Sequence, residues 1–187
     1  MSKNNKIFIV AEAGVNHNGS VSKALDLIDA AAYAGADAVK FQTFVTEKMI
    51  TKNSEKANYQ KRTTGIKENQ FEMIKKLELN FNSYFKLKNR CKKNNIKFLS
   101  TAFDYDSLNF LVNKLKLDVL KIPSGEIING PYLLEHAKYK KKLIVSTGMS
   151  TINEVETCLG VIAFGLLNKS KPSKKSFQNA YKSKEGK

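Results

Sequence analysis

Five short runs rich in apolar and β-branched residues recur along the chain, and a stretch with helical spacing follows each; this alternation limits the fold more than anything else in the sequence. The runs are IFIVAEA (7–13), DAVKFQT (37–43), IKFLSTAF (96–103), LDVLKIPSGE (117–126) and KLIVSTGMS (142–150). Near-continuous apolar character suits strands covered on both faces, as in parallel sheets. The first helical stretch is predicted over Ser20–Tyr33, with Ala24, Leu25, Ile28, Ala31 and Ala32 on one face. Ser20 or Ser22 can cap it and Gly35 ends it. Further helices are predicted at about 68–78 and 82–94, over Asp106–Leu115, over Pro131–Tyr139 with proline in the first turn, and over Thr151–Leu167. A polar loop spans roughly 44–66, long enough to suggest a functional role.

Alternating strands and helices imply a parallel sheet with right-handed crossovers, and doubly wound and barrel architectures both fit. Chemically capable residues decide between them. Glu12, Lys40, Gln42, Thr101, Lys121, Ser124, Glu126 and Ser146 fall at or just past the C-terminal ends of the runs. In (β/α)8 barrels the active site is assembled at that face from several strand ends. No GxGxxG follows the first run, so a dinucleotide fold is not supported. The expected class is therefore α/β, a parallel (β/α) TIM-barrel type with about five of the eight βα units. Five strands do not close such a barrel, so a fragment, a natural truncation or one part of an assembly is expected. The expected division is a partial barrel over 1–167 and a disordered Lys/Ser-rich tail over 168–187.

The formal net charge is +15, carried mostly by scattered lysines, with clusters at Lys75–Lys76, at Lys92–Lys93, from Lys138 to Lys142 and in the tail. Aromatic and basic residues do not interleave on one strand face, so solvated lysine-rich helix faces are favoured over nucleic-acid binding. The positive field would help attract an anionic substrate. Cys91 and Cys158 have no metal-ligand or disulfide-framework spacing and read as buried free thiols. No run of about 18 apolar residues suggests a membrane span, and the N-terminal apolar run is too short for a signal peptide; a cytoplasmic location without membrane partners is expected.

Lysines and hydroxyls converging with main-chain N–H groups make an anion pocket. SGE (124–126) and STGMS (146–150) are Ser/Gly turns between a strand and a helix, which present N–H groups to a phosphate or carboxylate. Glu12 and Glu126 end apolar strands; each reads either as a structural ion pair with Lys40 or Lys121, or as a group that binds sugar hydroxyls and handles protons. Lys40 and Lys121 could alternatively form a Schiff base, although two lysines beside an anion-binding turn favour charge neutralisation. His17, in GVNHNG, reads either as a metal ligand, although one histidine does not make a site, or as a brace for the loop after the first strand; His136 is expected at the surface. A complete metal site cannot be assembled from this sequence.

Together AEAGVNHNG (11–19), DAVKFQT (37–43), FLSTAFD (98–104), KIPSGE (121–126) and STGMS (146–150) resemble the N-acetylneuraminate (sialic acid) synthase family. The loop sequence ANYQKRTTG (57–65) resembles the family as well. The resemblance implies condensation of phosphoenolpyruvate through C3 with the aldehyde of open-chain N-acetylmannosamine, with loss of phosphate by C–O cleavage to give a nine-carbon 2-keto acid. It implies that Lys40, Lys121, Ser124 and Ser146 hold phosphoenolpyruvate, and that Glu12, Gln42, Thr101 and Glu126 contact the amino sugar. It also implies a divalent metal, manganese or magnesium, whose histidine ligands lie on strands later than those present. Ala102 stands where the family has proline. The family's C-terminal antifreeze-like domain, which reaches a partner's active site, is expected to have no counterpart in these residues. A homo-oligomer or a complementing C-terminal half is the expected partner. The alternatives are a legionaminic or pseudaminic acid synthase, one half of a split synthase, and a non-catalytic remnant.

Overall fold

A computed structural model of the chain describes residues 7–57, 60, 62, 68–167 and 171–186. They form two compact units that divide after Phe110.

In the first unit, β1 (Val10–Gly14), β2 (Ala38–Thr43) and β3 (Lys97–Ala102) run parallel, β1 on β2 and β2 on β3. Glu12 lies opposite Lys40, after which the register slips at Gly14; β2 and β3 stay in register from Ala38–Lys97 to Thr43–Ala102. The helices are α1 (Val21–Tyr33), α2 (Thr46–Met49), α3 (Gln70–Lys75), α4 (Phe81–Lys93) and α5 (Tyr105–Asn109). Ser20 caps α1 by accepting the Lys23 N–H, and Gly35 leaves it at φ +77°, a left-handed conformation open to glycine. Asn69 and Glu72 form a reciprocal capping box on α3. The apolar face of α1 (Ala24, Ile28) and that of α4 (Leu87) are fully buried, as are Val39 and Phe41 of β2. Arg90 of α4 grips Asp29 of α1 at 2.9 and 3.2 Å.

The first strand is shorter than its apolar run. Ile7 is 80% exposed and Ile9 56%, so the run is not covered on both faces and regular pairing begins only at Val10. Ile9 still accepts the Asp37 and Ala38 N–H groups.

In the second unit, β4 (Val119–Ile122) and β5 (Lys142–Val145) pair in parallel. A π-helical turn, Phe110–Lys114, leads in from α5, and a 3-10 turn, Ser124–Glu126, follows β4. The helices are α6 (Gly130–Lys138), α7 (Ile152–Leu167) and α8 (Lys174–Lys182). Ile122, Leu133, Ala137, Cys158 and Val161 form one buried cluster. A Cβ at Gly165 would sit 2.5 Å from the Ala137 Cβ, which shows how closely α7 approaches α6.

Two expectations are corrected here. The Lys/Ser-rich tail is not without structure. Ser173 and Ser176 form a capping box, Ala180 is buried, and Phe177 packs edge-on against Phe164 at 5.1 Å, seating α8 on α7. Lysine composition hides a Phe177–Ala180–Tyr181 spacing that is helical. His136 is not at the surface but fully buried on the α6 face that also carries Tyr132, Leu133 and Ala137. Its Nδ1 lies 2.9 Å from the Tyr132 carbonyl oxygen, and burial pushes its pKa down.

The chain is thus an α/β series in which each parallel strand is followed by helix, the order of a partial (β/α)8 barrel.

Candidate functional site

The sequence-predicted residues gather at strand ends within each unit. In the first, strand alternation points Lys40 and Gln42 to the face opposite Phe41, whose side chain is fully buried. Lys40 Nζ lies 2.5 Å from Glu12 Oε2 and 3.4 Å from Thr101 Oγ1. The glutamate side chain is 56% exposed and the lysine side chain 13%, so the carboxylate faces solvent while the ammonium is enclosed. The ion-pair reading of Glu12 is therefore what this geometry contains, and Thr101 joins the pair. A Cβ on Gly14 would sit 3.4 Å from Glu12 Oε1 and 3.7 Å from Gln42 Nε2. Gly14, at φ +53°, is the floor between those two side chains. Gln42 and Thr101 face each other in the β2–β3 register.

His17 is buried behind this end of the sheet, 6.1 Å ring to ring from Phe41. Its Nδ1 accepts the Gly19 N–H at 3.1 Å, bracing the loop, one of the two roles open to it in the sequence. An accepting Nδ1 places the proton of the neutral ring on Nε2, and burial lowers the pKa, which keeps the ring neutral. The loop is held tightly: a Cβ on Gly19 would fall 2.2 Å from the Lys76 carbonyl oxygen.

In the second unit, Lys121 Nζ donates to Ser146 Oγ at 2.5 Å and to the Ile122 carbonyl oxygen at 2.9 Å. The end of β5 is tied to β4 by the Ser146 N–H, which donates to the Ile122 carbonyl at 3.1 Å. Ser124 opens the 3-10 turn, and its Oγ is 3.5 Å from where a Gly148 Cβ would lie, so glycine leaves the STGMS turn open beside that hydroxyl. Met149, next in that turn, has φ +61° and a fully exposed side chain, a costly conformation for a non-glycine residue. Glu126 accepts from Asn129 Nδ2 at 2.6 Å. Lys121, Ser146 and Ser124 thus make a cation and two hydroxyls beside a glycine turn, an arrangement able to receive an anion.

The resemblance groups Lys40 with the anion-binding residues; within its own unit Lys40 sits between Glu12 and Thr101. Gly14, Gly148 and Asn129 escape sequence reasoning, although the glycine turns containing two of them are visible as such. The metal implied by the resemblance does not fit the described residues. No group of three or more His, Cys, Asp or Glu side chains comes together among them, and the unpartnered Nε2 atoms of His17 and His136 each stand alone.

An α/β chain whose charged and hydroxyl side chains collect at the C-terminal ends of parallel strands has the layout of the barrel enzymes. It belongs to the NeuB family, whose description it matches over residues 27–180. It is 50% identical over 157 residues to the N,N'-diacetyllegionaminic acid synthase of Campylobacter jejuni, covering 84% of this chain and 47% of that protein. To the synthase of the same name from Legionella pneumophila it is 46% identical, covering 83% and 43%. The crystal structure of N-acetylneuraminic acid (sialic acid) synthetase from Leptospira borgpetersenii, in complex with citrate, superposes with a TM-score of 0.72 at 34% identity, covering 87% of this chain and 52% of that one. The chain spans about half the length of the curated relatives it matches. Among the described residues no helix is long and apolar enough to cross a membrane.

Proposed function

We propose that the chain carries part of the active site of a synthase that joins phosphoenolpyruvate to the aldehyde of an open-chain amino sugar. C3 of phosphoenolpyruvate attacks the aldehyde carbon and the new C–C bond forms. Water adds at C2, the C–O bond to phosphorus's bridging oxygen breaks, and inorganic phosphate leaves; the product is a nine-carbon 2-keto acid. In the second unit Lys121, Ser124 and Ser146 take the phosphate or carboxylate, a role the family resemblance also gives Lys40. In the first unit Glu12, Gln42 and Thr101 take sugar hydroxyls, a role the family resemblance also gives Glu126. A carboxylate has only acceptor sites and so suits the hydroxyl donors of a sugar.

The observation that carries the reading is the contact of Lys121 with Ser146, beside Ser124 and the open Gly148 turn. It supports an anion subsite of the kind phosphoenolpyruvate needs. The test is phosphate release by the purified chain from phosphoenolpyruvate, N-acetylmannosamine and manganese, with Lys121→Ala as control. Release that the substitution abolishes supports the reading. No release from soluble chain, even with the rest of a relative's barrel supplied as a second polypeptide, overturns it in favour of a non-catalytic role.

A second reading concerns the sugar. The two N,N'-diacetyllegionaminic acid synthases are 50% and 46% identical to this chain, against 33% for a pseudaminic acid synthase and 34% for an N-acetylneuraminate-9-phosphate synthase. This favours the diacetylated amino sugar that gives N,N'-diacetyllegionaminic acid. A higher kcat/KM for that sugar than for N-acetylmannosamine is the expected outcome of a direct comparison.

A further inference from the structure

The segment that ends β2 is held by two carboxylates from distant parts of the sequence. The Val45 N–H donates to Asp104 Oδ2 at 2.8 Å, and the next N–H, that of Thr46, donates to Glu78 Oε2 at 2.8 Å. Val45 is the N-cap residue of α2 and has no side chain able to cap, so these carboxylates satisfy main-chain donors that the local sequence leaves open. Asp104 also caps its own helix, α5: Oδ1 accepts the Ser107 N–H at 2.8 Å, and Oδ2 accepts the Ser107 hydroxyl at 2.6 Å. Asp104 is 5% exposed. Between the two strands, the Phe103 N–H donates to the Thr43 carbonyl, the Thr43 and Ser100 hydroxyls meet at 2.7 Å, and the Tyr84 hydroxyl donates to the Gln42 carbonyl at 2.8 Å.

We infer that Asp104 is a positioning residue: through one carboxylate it couples the end of β2, which carries Lys40 and Gln42, to the end of β3, which carries Thr101. An ionised carboxylate has only acceptor sites, so it serves three donors at once, and hydrogen bonds to a charged acceptor are stronger than neutral ones. A shift of the Val45 corner against Asp104 would move Gln42 relative to Thr101. The sugar-binding part of this inference rests on the function proposed above; the coupling itself does not.

Asp104→Asn separates the coupling from the cap. Asparagine caps helices as well as aspartate does, so the Ser107 N–H keeps its acceptor, while the new NH2 group opposes the Val45 N–H. In this chain, exchange of the Val45 and Phe103 amides should rise at least about tenfold, with Ser107 little changed. The chemical-shift response of Gln42 and Thr101 to N-acetylmannosamine should require at least about tenfold more sugar, and the response of Ser124 and Ser146 to phosphoenolpyruvate should stay as in the unsubstituted chain. Unchanged exchange at Val45 and Phe103, or faster exchange with unchanged sugar response, overturns the inference. If the unsubstituted chain gives no sugar response, the functional proposal is what fails, and the coupling stands or falls on Val45 and Phe103 exchange. If the asparagine variant does not fold, Asp104→Ser, which keeps a capping hydroxyl too short to reach Val45, takes its place.

Discussion

The strand ends of the first unit are held by side chains that reach main-chain groups. Asp104 and Glu78 take the Val45 and Thr46 N–H groups, Tyr84 holds the Gln42 carbonyl, and His17 holds Gly19. In the second unit Lys121 lies on β4, while Ser124, Glu126 and Ser146 stand on short turns, with a left-handed Met149 and a glycine where Ser124 comes close; Ile122 and Ile127 beside them belong to a buried, mostly aliphatic cluster. The difference is instructive because the two kinds of support respond to different insults. Polar bracing depends on which atoms remain donors and acceptors, so small chemical changes and pH should disturb it. Turns resting on an aliphatic core depend on volume, so truncation should disturb them.

The largest expected effect tests the second arrangement. Leu133→Ala, at a site 1% exposed, should cost about 2–5 kcal/mol in denaturant unfolding through lost burial and the cavity left behind. Next is a glycine pair in the first unit. Gly19→Ala combines φ +75° with a Cβ 2.2 Å from the Lys76 carbonyl, whereas Gly35→Ala has φ +77° and nothing within 4 Å. Gly35→Ala should cost about 1–2 kcal/mol from backbone strain alone, and Gly19→Ala clearly more; equal costs would mean that the loop relaxes freely. Thr43→Val leaves the Ser100 hydroxyl buried without its partner and should cost about 1–3 kcal/mol, most of it recovered when Ser100→Ala is added. A double-mutant cycle reads this directly.

The pH prediction follows from the two buried histidines. His17 and His136 both have pKa values lowered by burial, while in the unfolded chain they titrate near 6.5. As pH falls, the unfolded state takes up protons first, so stability present above about pH 6.5 is lost progressively toward the folded-state values. Urea midpoints at about pH 7.5 and 5 should show this loss, and His17→Gln should reduce it; an unchanged pH dependence would remove His17 from the account. Least affected should be Arg90→Met. Its ion pair with Asp29 is partly solvated, with side chains 39% and 43% exposed, so the expected cost is below about 1 kcal/mol and smaller still in high salt.

The order of strands and helices was legible because periodicity reports burial, and burial dominates these elements. Strand lengths were less legible. The apolar run at 7–13 looks uniform, but only from Val10 on does it pair regularly. Lysine-rich composition masked α8, whose Ser173–Ser176 cap and Phe177, Ala180, Tyr181 spacing were present in the sequence. The polarity of histidine masked His136, although its neighbours Tyr132, Leu133 and Ala137 marked that helix face as internal. The contact of Lys40 with Glu12 was among the readings open to the sequence. Asp104 is not legible as a positioning residue, because its partner Val45 lies 59 residues away and offers only a main-chain N–H, which no side-chain pattern records.

Both cysteines are buried, and burial raises the thiol of Cys91 to about 12 and that of Cys158 to about 11. Near neutral pH almost no thiolate is available at either, and thiolate is the reactive form. For labelling chemistry the native fold is therefore a blank surface. A single cysteine introduced in place of the exposed Met149 would take a maleimide probe selectively and report occupancy of the adjoining turn by fluorescence, with the natural pair left in place.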